Sequence, residues 1–289
     1  MAHPFVEIAD RCFVARYRQW DVSVGLVTGS DSAMVIDTRA SSQQGKEIVS
    51  DVDALGLGIP ITSVVNTHVH FDHSFGNAIF TDARVVAHAS VGLRWRGDEG
   101  RIKAVFRDDP GDGPEYGYTA ADVQDLLATP VRGPDDTFAD ATRIVLGDRE
   151  VALAYFGRGH TDGDIAIRVP DAGVTFLGDL IEESATPSIG GDSYPLDWPA
   201  TLSRISVELT PTDVVVPGHG TRVDRAFVER LTADLATIAG IIRELHAAGV
   251  PAVEAIAAAA DRWPWPPDAL GQAVARGYGQ LRAAGGASR

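Results

Sequence analysis

Apolar and polar positions alternate along the first 37 residues, the pattern of β-strands with one buried face. Turn residues such as Gly29 and Asp31 separate the apolar runs, and the pattern predicts a four-stranded meander. The predicted strands are residues 5–8, 12–17, 23–28 and 33–37. Ser41 and Ser42 are typical helix-capping residues and indicate a helix that runs to about residue 55.

Strands and helices then follow one another to the end of the chain. Further predicted strands are residues 63–66, 84–88, 143–146, 151–155, 165–169, 174–177 and 213–216. The predicted helices of this part are residues 198–209, 226–247, 252–260 and a last helix that ends near residue 283. In the longest of them, Leu231, Leu235 and Ile238 begin an apolar stripe with helical spacing. Blocks in this order predict a mixed α/β (α+β) fold with two packed sheets covered by helices.

One stretch departs from this regularity. Residues 97–140 are rich in Gly, Pro and Asp, and we expect an irregular insertion there. A lid or substrate loop near an active site and a disordered surface insertion are equally supported interpretations. Its aromatic side chains could wall an apolar pocket and its arginines could contact an anion; with their close neighbours they are Trp95, Phe106, Tyr116, Tyr118, Arg94, Arg96 and Arg107. We treat residues 1–289 as a single domain, with residues 226–289 as a helical C-terminal extension.

The most informative segment follows the predicted strand at residues 63–66. Within six positions it carries four side chains that can bind a metal: His68, His70, Asp72 and His73. Residues two apart on an extended chain point the same way, so His68 and His70 can contact one ion. The chain must then turn for Asp72 and His73 to reach a second. A polar loop with solvated histidines would explain one histidine, but not four ligand-type residues at this spacing.

Three more ligand-type residues follow apolar strands. His160 lies in Gly-Arg-Gly-His-Thr-Asp-Gly, His219 lies in Pro-Gly-His-Gly, and Asp179 comes directly after Gly178. Four strand ends therefore each deliver metal-binding side chains, and we expect one composite site. His88 also ends a predicted strand, but as a lone histidine it is expected to be packed or hydrogen-bonded.

Together, the patterns His-x-His-x-Asp-His, Gly-His-Thr, Gly-Asp and Pro-Gly-His-Gly resemble those of the metallo-β-lactamase-fold hydrolases, over about residues 5–225. The resemblance implies the αββα four-layer sandwich of that superfamily, here with extra C-terminal helices. It also implies a dinuclear metal site in which Asp179 bridges the ions. The implied ligands are His68, His70 and His160 for the first metal, and Asp72, His73 and His219 for the second.

This ligand set predicts hydrolysis by a metal-bound hydroxide. Three neutral imidazoles leave a zinc ion its full charge and an open position, where the pKa of a bound water falls to about 7. We hypothesise that Asp72 is the catalytic residue, which both binds the second metal and orients the attacking hydroxide. Two zinc ions per chain are the expected cofactor, with iron or manganese as alternatives.

Differences from the commonest secreted zinc β-lactamases narrow the range of possible substrates. Those enzymes carry Cys at the position of Asp179 and a Lys three residues later, where this chain has Glu182. Glu182 and Glu183 would repel a substrate carboxylate, and the single cysteine, Cys12, lies in a predicted strand far upstream. The ligand set is similar to that of glyoxalase II and the lactonases. We therefore rank hydrolysis of a small ester, thioester, lactone or amide above β-lactamase activity.

Two other classes of function stay open. A mono-iron oxidoreductase that resembles the persulfide dioxygenases would use the same fold with iron at the first site, but His219 after His73 completes a second site and favours two metals. A non-catalytic, metal-dependent binding module is the third alternative, and the complete ligand set argues against it.

Net charge and cysteine content bear on partners and compartment. The formal net charge is −15, and an acidic surface repels phosphate backbones and anionic membranes. We therefore expect a small-molecule substrate and neither nucleic acid nor membrane as a partner, while a homodimer stays open. The N-terminus lacks the basic and apolar regions of a secretory signal, and one cysteine excludes an internal disulfide. Both observations favour a cytoplasmic protein.

Overall fold

Two β-sheets organise the chain, in a computed structural model that describes residues 4–110, 113 and 116–286. The strands of the first sheet are β1 (Val6–Ala9), β2 (Cys12–Arg16), β3 (Ser23–Thr28), β4 (Ala33–Ile36), β5 (Ile61–Val65), β6 (Arg84–His88) and β7 (Asp136–Phe138). Those of the second are β8 (Ala141–Leu146), β9 (Arg149–Tyr155), β10 (Ile165–Val169), β11 (Val174–Glu182) and β12 (Val214–His219).

Eight α-helices are described beside these strands. They are α1 (Ser42–Ala54), α2 (Phe71–Ser74), α3 (Ala89–Asp108), α4 (Ala120–Ala128), α5 (Trp198–Glu208), α6 (Arg225–Ala247), α7 (Ala252–Ala258) and α8 (Gly271–Gly286). As predicted, Ser41 caps α1, because its side chain accepts a hydrogen bond from the backbone N–H of Gln44. None of the helices in the described part of the chain is long and apolar enough to cross a membrane.

The two sheets differ in the order and direction of their strands. In the first sheet the order is β1-β2-β3-β4-β5-β6-β7, and the predicted meander β1–β4 is antiparallel. The strands from β4 to β7 run parallel. In the second sheet the order is β12-β11-β10-β9-β8, and only β11 and β12 are parallel. Strand β5 is followed by His68, whereas β11 contains Asp179 and β12 ends at His219.

Apolar side chains fill the space between the sheets and cover both outer faces. Met34 and Val65 of the first sheet share a buried cluster with Leu153 and Phe176 of the second. On the outer face of the first sheet α1 contributes Ile48 to another cluster. Helices α5 to α8 supply most of a third cluster, which covers the second sheet. The predicted αββα four-layer sandwich is therefore confirmed.

The prediction of an irregular insertion over residues 97–140 is wrong for most of that segment. Helix α3 continues to Asp108, and α4 begins behind Thr119, where Thr119 and Asp122 form a reciprocal capping box. Three glycines in α3 and the Asp-Pro-Gly run after it obscured the helical pattern. Buried Ile102 and Phe106 of α3 pack with Val123 and Leu126 of α4, which compensates for the weak helix propensity of glycine.

Candidate metal centre

The segment after β5 turns sharply, as the sequence predicted. His68 lies in a bend after the strand, whereas His70 has an extended backbone, and the one-turn helix α2 begins directly behind His70. The turn directs Asp72 and His73 back toward the centre. Ser74 holds the turn closed, because its hydroxyl donates to the backbone carbonyl oxygens of Val69 and His70.

All seven predicted ligand residues converge, in two groups. One group is His68, His70, His160 and Asp179, and the other is Asp72, His73 and His219. Within each group the potential ligand atoms lie within 4.8 Å of one another. Nδ1 of His70 is 2.8 Å from Nε2 of His160, and Nε2 of His73 is 3.4 Å from Nε2 of His219. Their role as metal ligands stays a prediction, but their convergence is a property of the fold.

Asp179 lies between the two groups. Its Oδ2 atom is 3.3 Å from Nε2 of His160 and 3.3 Å from Nε2 of His219. Its Oδ1 atom is 3.2 Å from Nε2 of His73. The residue is the sixth of β11 rather than the first residue beyond it, so our prediction that this strand ends at residue 177 is wrong. Gly178, at φ 51°, bends the chain there.

A glycine on β12 allows this close approach. A Cβ atom at Gly218 would lie 1.9 Å from Oδ1 of Asp179. Any other residue at position 218 would therefore displace the carboxylate from the centre. The glycine of the Pro-Gly-His-Gly pattern thus sets the distance between two strand ends.

Each of the five histidines directs one ring nitrogen into the centre and the other toward a fixed oxygen. The outward partners are Thr67 Oγ1 for His68, Asp192 Oδ2 for His70, Asp37 Oδ2 for His73, the Ser188 carbonyl for His160 and the Trp20 carbonyl for His219. Their distances run from 2.7 to 3.1 Å. Metal-binding histidines are oriented in this way in proteins.

Two of these partners are carboxylates that the sequence analysis did not single out. Asp37, at the end of β4, accepts hydrogen bonds from the backbone N–H and hydroxyl of Thr67 as well as from His73. Asp192 belongs to the loop after β11 and reaches His70 across 3.1 Å. An Asp directly after the buried run of β4 is a weak sequence signal for the first. No local pattern indicates the second.

The protein's own charges favour positive charge at the second group. Burial opposes protonation of His219, but Asp179 and Asp72 outweigh it and raise the pKa of His219 to about 10. Burial likewise opposes protonation of His73, but Asp179, Asp72 and Asp37 raise its pKa well above the ordinary value. In the first group burial prevails at two histidines, so that the pKa of His160 falls to about 4 and that of His68 lies well below its ordinary value. At His70 burial also opposes protonation, but Asp192, Asp72 and Asp179 outweigh it and raise the pKa.

These features fit a metal ion. Nε2 of His68 is fully buried and has no hydrogen-bond partner, and such an orphaned group is costly unless something binds it. Neutral imidazoles and carboxylates are the donor set that zinc, iron and manganese accept. The residues therefore suit metal binding both in chemistry and in orientation.

A cavity of about 650 Å³ opens onto the centre. One wall is apolar and is formed by Trp20, Phe71, Ile102 and Tyr116. Trp20 is held by Tyr118, which stacks on it at 4.8 Å. Arg18 and Arg101 also line the cavity, and Arg101 pairs with Asp98 at 3.2 Å. Of the aromatic residues suggested from sequence, Tyr116 lines the cavity directly, and Phe106 and Tyr118 support Trp20.

Other predicted contacts differ. Arg94 pairs with Asp162 at 2.8 Å and lies outside the cavity lining. Glu182 lines the cavity, where its carboxylate accepts a hydrogen bond from the backbone N–H of Ser188, and burial together with Asp179 raises its pKa to about 8. Glu183 instead accepts from Thr221. His88 caps α3 and stacks on Tyr155, as expected of a packed histidine.

Comparison with known proteins assigns this chain to a family. Residues 17–219 match the family described as the metallo-beta-lactamase superfamily, and this chain belongs to it. The chain is 27% identical over 235 residues to the acyl-coenzyme A thioesterase MBLAC2 of Homo sapiens, covering 77% of this chain and 81% of that protein. It is 22% identical over 209 residues to the metallo-beta-lactamase type 2 of Bacillus cereus, covering 71% and 70%.

Solved structures show the same fold. A metallo-beta-lactamase from Pontibacter korlensis superposes with a TM-score of 0.60 at 19% identity, over 80% of this chain and 97% of that one. The family membership and the hydrolases among its relatives define this chain as a metal-dependent hydrolase. The predicted class of enzyme is thereby confirmed, whereas the bond it cleaves is a separate question.

Proposed function

We propose that the protein is a dinuclear zinc hydrolase of a small ester, thioester, lactone or amide. The observation that carries the proposal is the double group of ligand atoms, with Asp179 between the groups and each histidine fixed by an outward hydrogen bond. His68, His70 and His160 would hold one ion, and Asp72, His73 and His219 the other. A mono-iron oxidoreductase would use only the first group, and the second group would then hold no ion.

Bound zinc ions would supply a water of lowered pKa and stabilise the negative charge that develops on the attacked carbonyl oxygen. We assign to Asp72 the role of accepting the proton of the attacking water. Its Oδ2 atom lies 3.5 Å from Nε2 of both His73 and His219, which leaves Oδ1 to accept a hydrogen bond from the attacking water. Held in this way, the water is directed at the carbonyl carbon and its proton has an acceptor.

The cavity supports a substrate with two features. The wall of Trp20, Phe71, Ile102 and Tyr116 would hold an apolar acyl part, and Arg18 and Arg101 would hold an anionic group. Among the candidate bonds, this shape and the thioesterase relatives favour a thioester. β-Lactamase activity ranks below it, because Asp179 and Glu182 occupy the positions at which the β-lactamases described above carry Cys and Lys.

Further properties belong to the same proposal. Residues 1–289 would form one domain, since the helices of residues 226–289 share an apolar cluster with the second sheet. The segment 97–140 would form one side of the cavity through Arg101, Ile102 and Tyr116. We propose a cytoplasmic enzyme that acts on a small molecule, with neither nucleic acid nor membrane as a partner.

The first experiment is elemental analysis of protein purified without chelators or added metal. About two zinc ions per chain are expected. A single iron per chain would instead support the oxidoreductase, and no metal uptake on zinc titration would contradict the proposed site. A panel of thioesters, lactones, esters, phosphodiesters and β-lactams then identifies the bond, with the chelator-treated enzyme as the control.

A further inference from the structure

A second cluster of charged side chains lies outside the metal centre and is basic, although the chain as a whole carries a net charge of −15. Two cavities of about 500 and 440 Å³ share Arg158, Leu196, Asp197 and Arg243 in their walls and form one continuous groove. Arg276 lines the first cavity and Arg204 the second. The groove thus contains four guanidinium groups and one carboxylate.

Three of these arginines are held in place by neutral acceptors. Arg204 donates to the Phe156 carbonyl at 2.6 Å, Arg243 to the Leu196 carbonyl at 2.9 Å, and Arg276 to the Ser193 carbonyl at 3.0 Å. Within the part of the chain that the structure describes, none of the three forms an ion pair. A carbonyl contact fixes the guanidinium but leaves its charge uncompensated. Arg204 and Arg243 are exposed to solvent, so an anion in the groove can reach both of them.

The fourth arginine and a tyrosine complete the arrangement. Arg158 lies over the Tyr194 ring at 4.3 Å and pairs with Asp197 at 2.5 Å. Arg276 approaches the same ring at 5.6 Å. Both side chains are therefore oriented before any ligand arrives, which reduces the entropy that binding would cost.

We propose that this groove, defined by Arg158, Arg204, Arg243 and Arg276, binds a phosphate-bearing small molecule, a nucleoside diphosphate being the type of ligand. Arginine recognises phosphate through paired N–H donors, and several fixed guanidinium groups suit a diphosphate better than a single carboxylate. The volume of each cavity is in the range of small-molecule sites. This inference does not depend on which bond the metal centre cleaves.

One loop connects the groove to the metal centre. Asp192 contacts His70, and its neighbour Tyr194 lines the groove. Between them, buried Ser193 accepts a hydrogen bond from Arg276 at its carbonyl and donates its hydroxyl to the His160 carbonyl. Tyr194 donates its backbone N–H to the Gly159 carbonyl. A ligand in the groove would thus contact the opposite side of the loop that orients two of the predicted ligands. The phosphate could belong either to a distal part of the substrate or to a separate ligand.

The test is binding of adenosine diphosphate to the purified, metal-containing full chain, measured by calorimetry. Wild-type protein should bind saturably, and Arg243→Gln and Arg204→Gln should each weaken binding by about tenfold or more, since each removes a charged hydrogen bond. Arg143→Gln is the matched control, because Arg143 is an exposed arginine of β8, outside the groove, that pairs with Glu150. Absence of saturable binding, or equal binding in all variants, as binding at the metal centre would give, overturns the proposal.

A kinetic comparison then distinguishes the two sources of phosphate. If the substrate supplies it, Arg243→Gln should raise KM for an acyl-coenzyme A about tenfold more than KM for the same acyl group on a nucleotide-free thiol. If a separate ligand supplies it, that ratio stays at its wild-type value while binding of the diphosphate is lost. A folded Arg243→Gln protein, checked by its unfolding temperature, that retains both the ratio and the binding contradicts the groove. Failure of both thioesters to react would contradict the preference for a thioester bond in the proposed function, but not the groove.

Discussion

Oδ2 of Asp192 lies 3.1 Å from Nε2 of His70, although 122 positions separate the two residues in the sequence. The contact turns Nδ1 of His70 toward His160, 2.8 Å away. Burial raises the pKa of the Asp192 carboxyl, but the hydrogen bond and charge of His70 and the charge of His160 together outweigh burial and lower the pKa overall. We therefore regard Asp192 as a positioning residue.

Removal of this partner should weaken metal binding. We expect Asp192→Ala to lower zinc affinity about 10–100-fold, because the imidazole loses the contact that fixes its orientation and basicity. Competition with a chromogenic chelator measures the affinity. Asp192→Asn should recover part of it, since the amide oxygen can still accept the hydrogen bond. Asp82→Asn, on the exposed surface, is the control, and equal affinity in Asp192→Ala and wild type would contradict the assignment.

Asp72→Asn should reduce turnover far more than substrate affinity. We expect kcat to fall about 10²–10⁴-fold with little change in KM, because the amide cannot accept the proton of the attacking water. Zinc content must be measured on the same sample, so that loss of a ligand is separated from loss of the proton acceptor. An unchanged kcat in a fully loaded variant would exclude the role of Asp72.

Arg18 offers a test of the substrate's anionic group. Arg18→Gln should raise KM for an anionic thioester by about tenfold, the effect of losing one charged hydrogen bond. Hydrolysis of a neutral thioester with the same acyl chain should change much less. The side chain is exposed, so the substitution should leave the unfolding temperature unaltered. Equal effects on both substrates would show that Arg18 does not bind the anionic group of the substrate.

Removal of the metal by a chelator should abolish activity. It should also reverse the way in which the unfolding temperature depends on pH. In the stripped protein the pKa of folded His219 is about 10, against an ordinary value of 6.5. The stability that its proton contributes is full below pH 6.5 and is lost as pH rises through 10. The unfolding temperature of stripped protein should therefore fall from pH 7 to pH 10.

Zinc at a hundred times its dissociation constant should add about 2.7 kcal/mol to the free energy of unfolding. Because binding requires deprotonated histidines, this gain should be largest above neutral pH. Thermal scans across pH, with and without zinc, measure both trends. Stripped protein whose stability rises toward pH 10 would contradict the charge arrangement described for His219 and His73.

Cys12 should be inert in the folded protein. Its side chain is fully buried, and burial raises the pKa of the thiol to about 11, so little of the reactive thiolate exists at pH 8. A chromogenic disulfide reagent should find less than one thiol per chain until denaturant is added, and then one. Immediate reaction in the native state would mean that the inter-sheet core opens readily.

Local sequence patterns predicted a large part of this structure. The short apolar runs of residues 5–37 and the turn at Gly29 and Asp31 predicted the meander, although β3 and β4 are buried on both faces and their burial does not alternate. The ligand-type residues of the centre could be recognised because they follow short apolar runs and stand beside turn residues. Helices α3 and α4 were not predicted, because their stability comes from tertiary packing rather than from helix propensity. The side chains that pack together are Ile102, Phe106, Val123 and Leu126.

The sequence by itself determined which side chains could bind metal, and where the strands that carry them begin. Only the tertiary structure decided how those side chains are held, since Asp192 reaches His70 and the Trp20 carbonyl reaches His219 from distant segments. The arginine groove is of the same kind, because its members come from four separate elements. Hydrophobic period is a local property of the chain, whereas the hydrogen bonds and charges that orient a site join residues that only folding brings together.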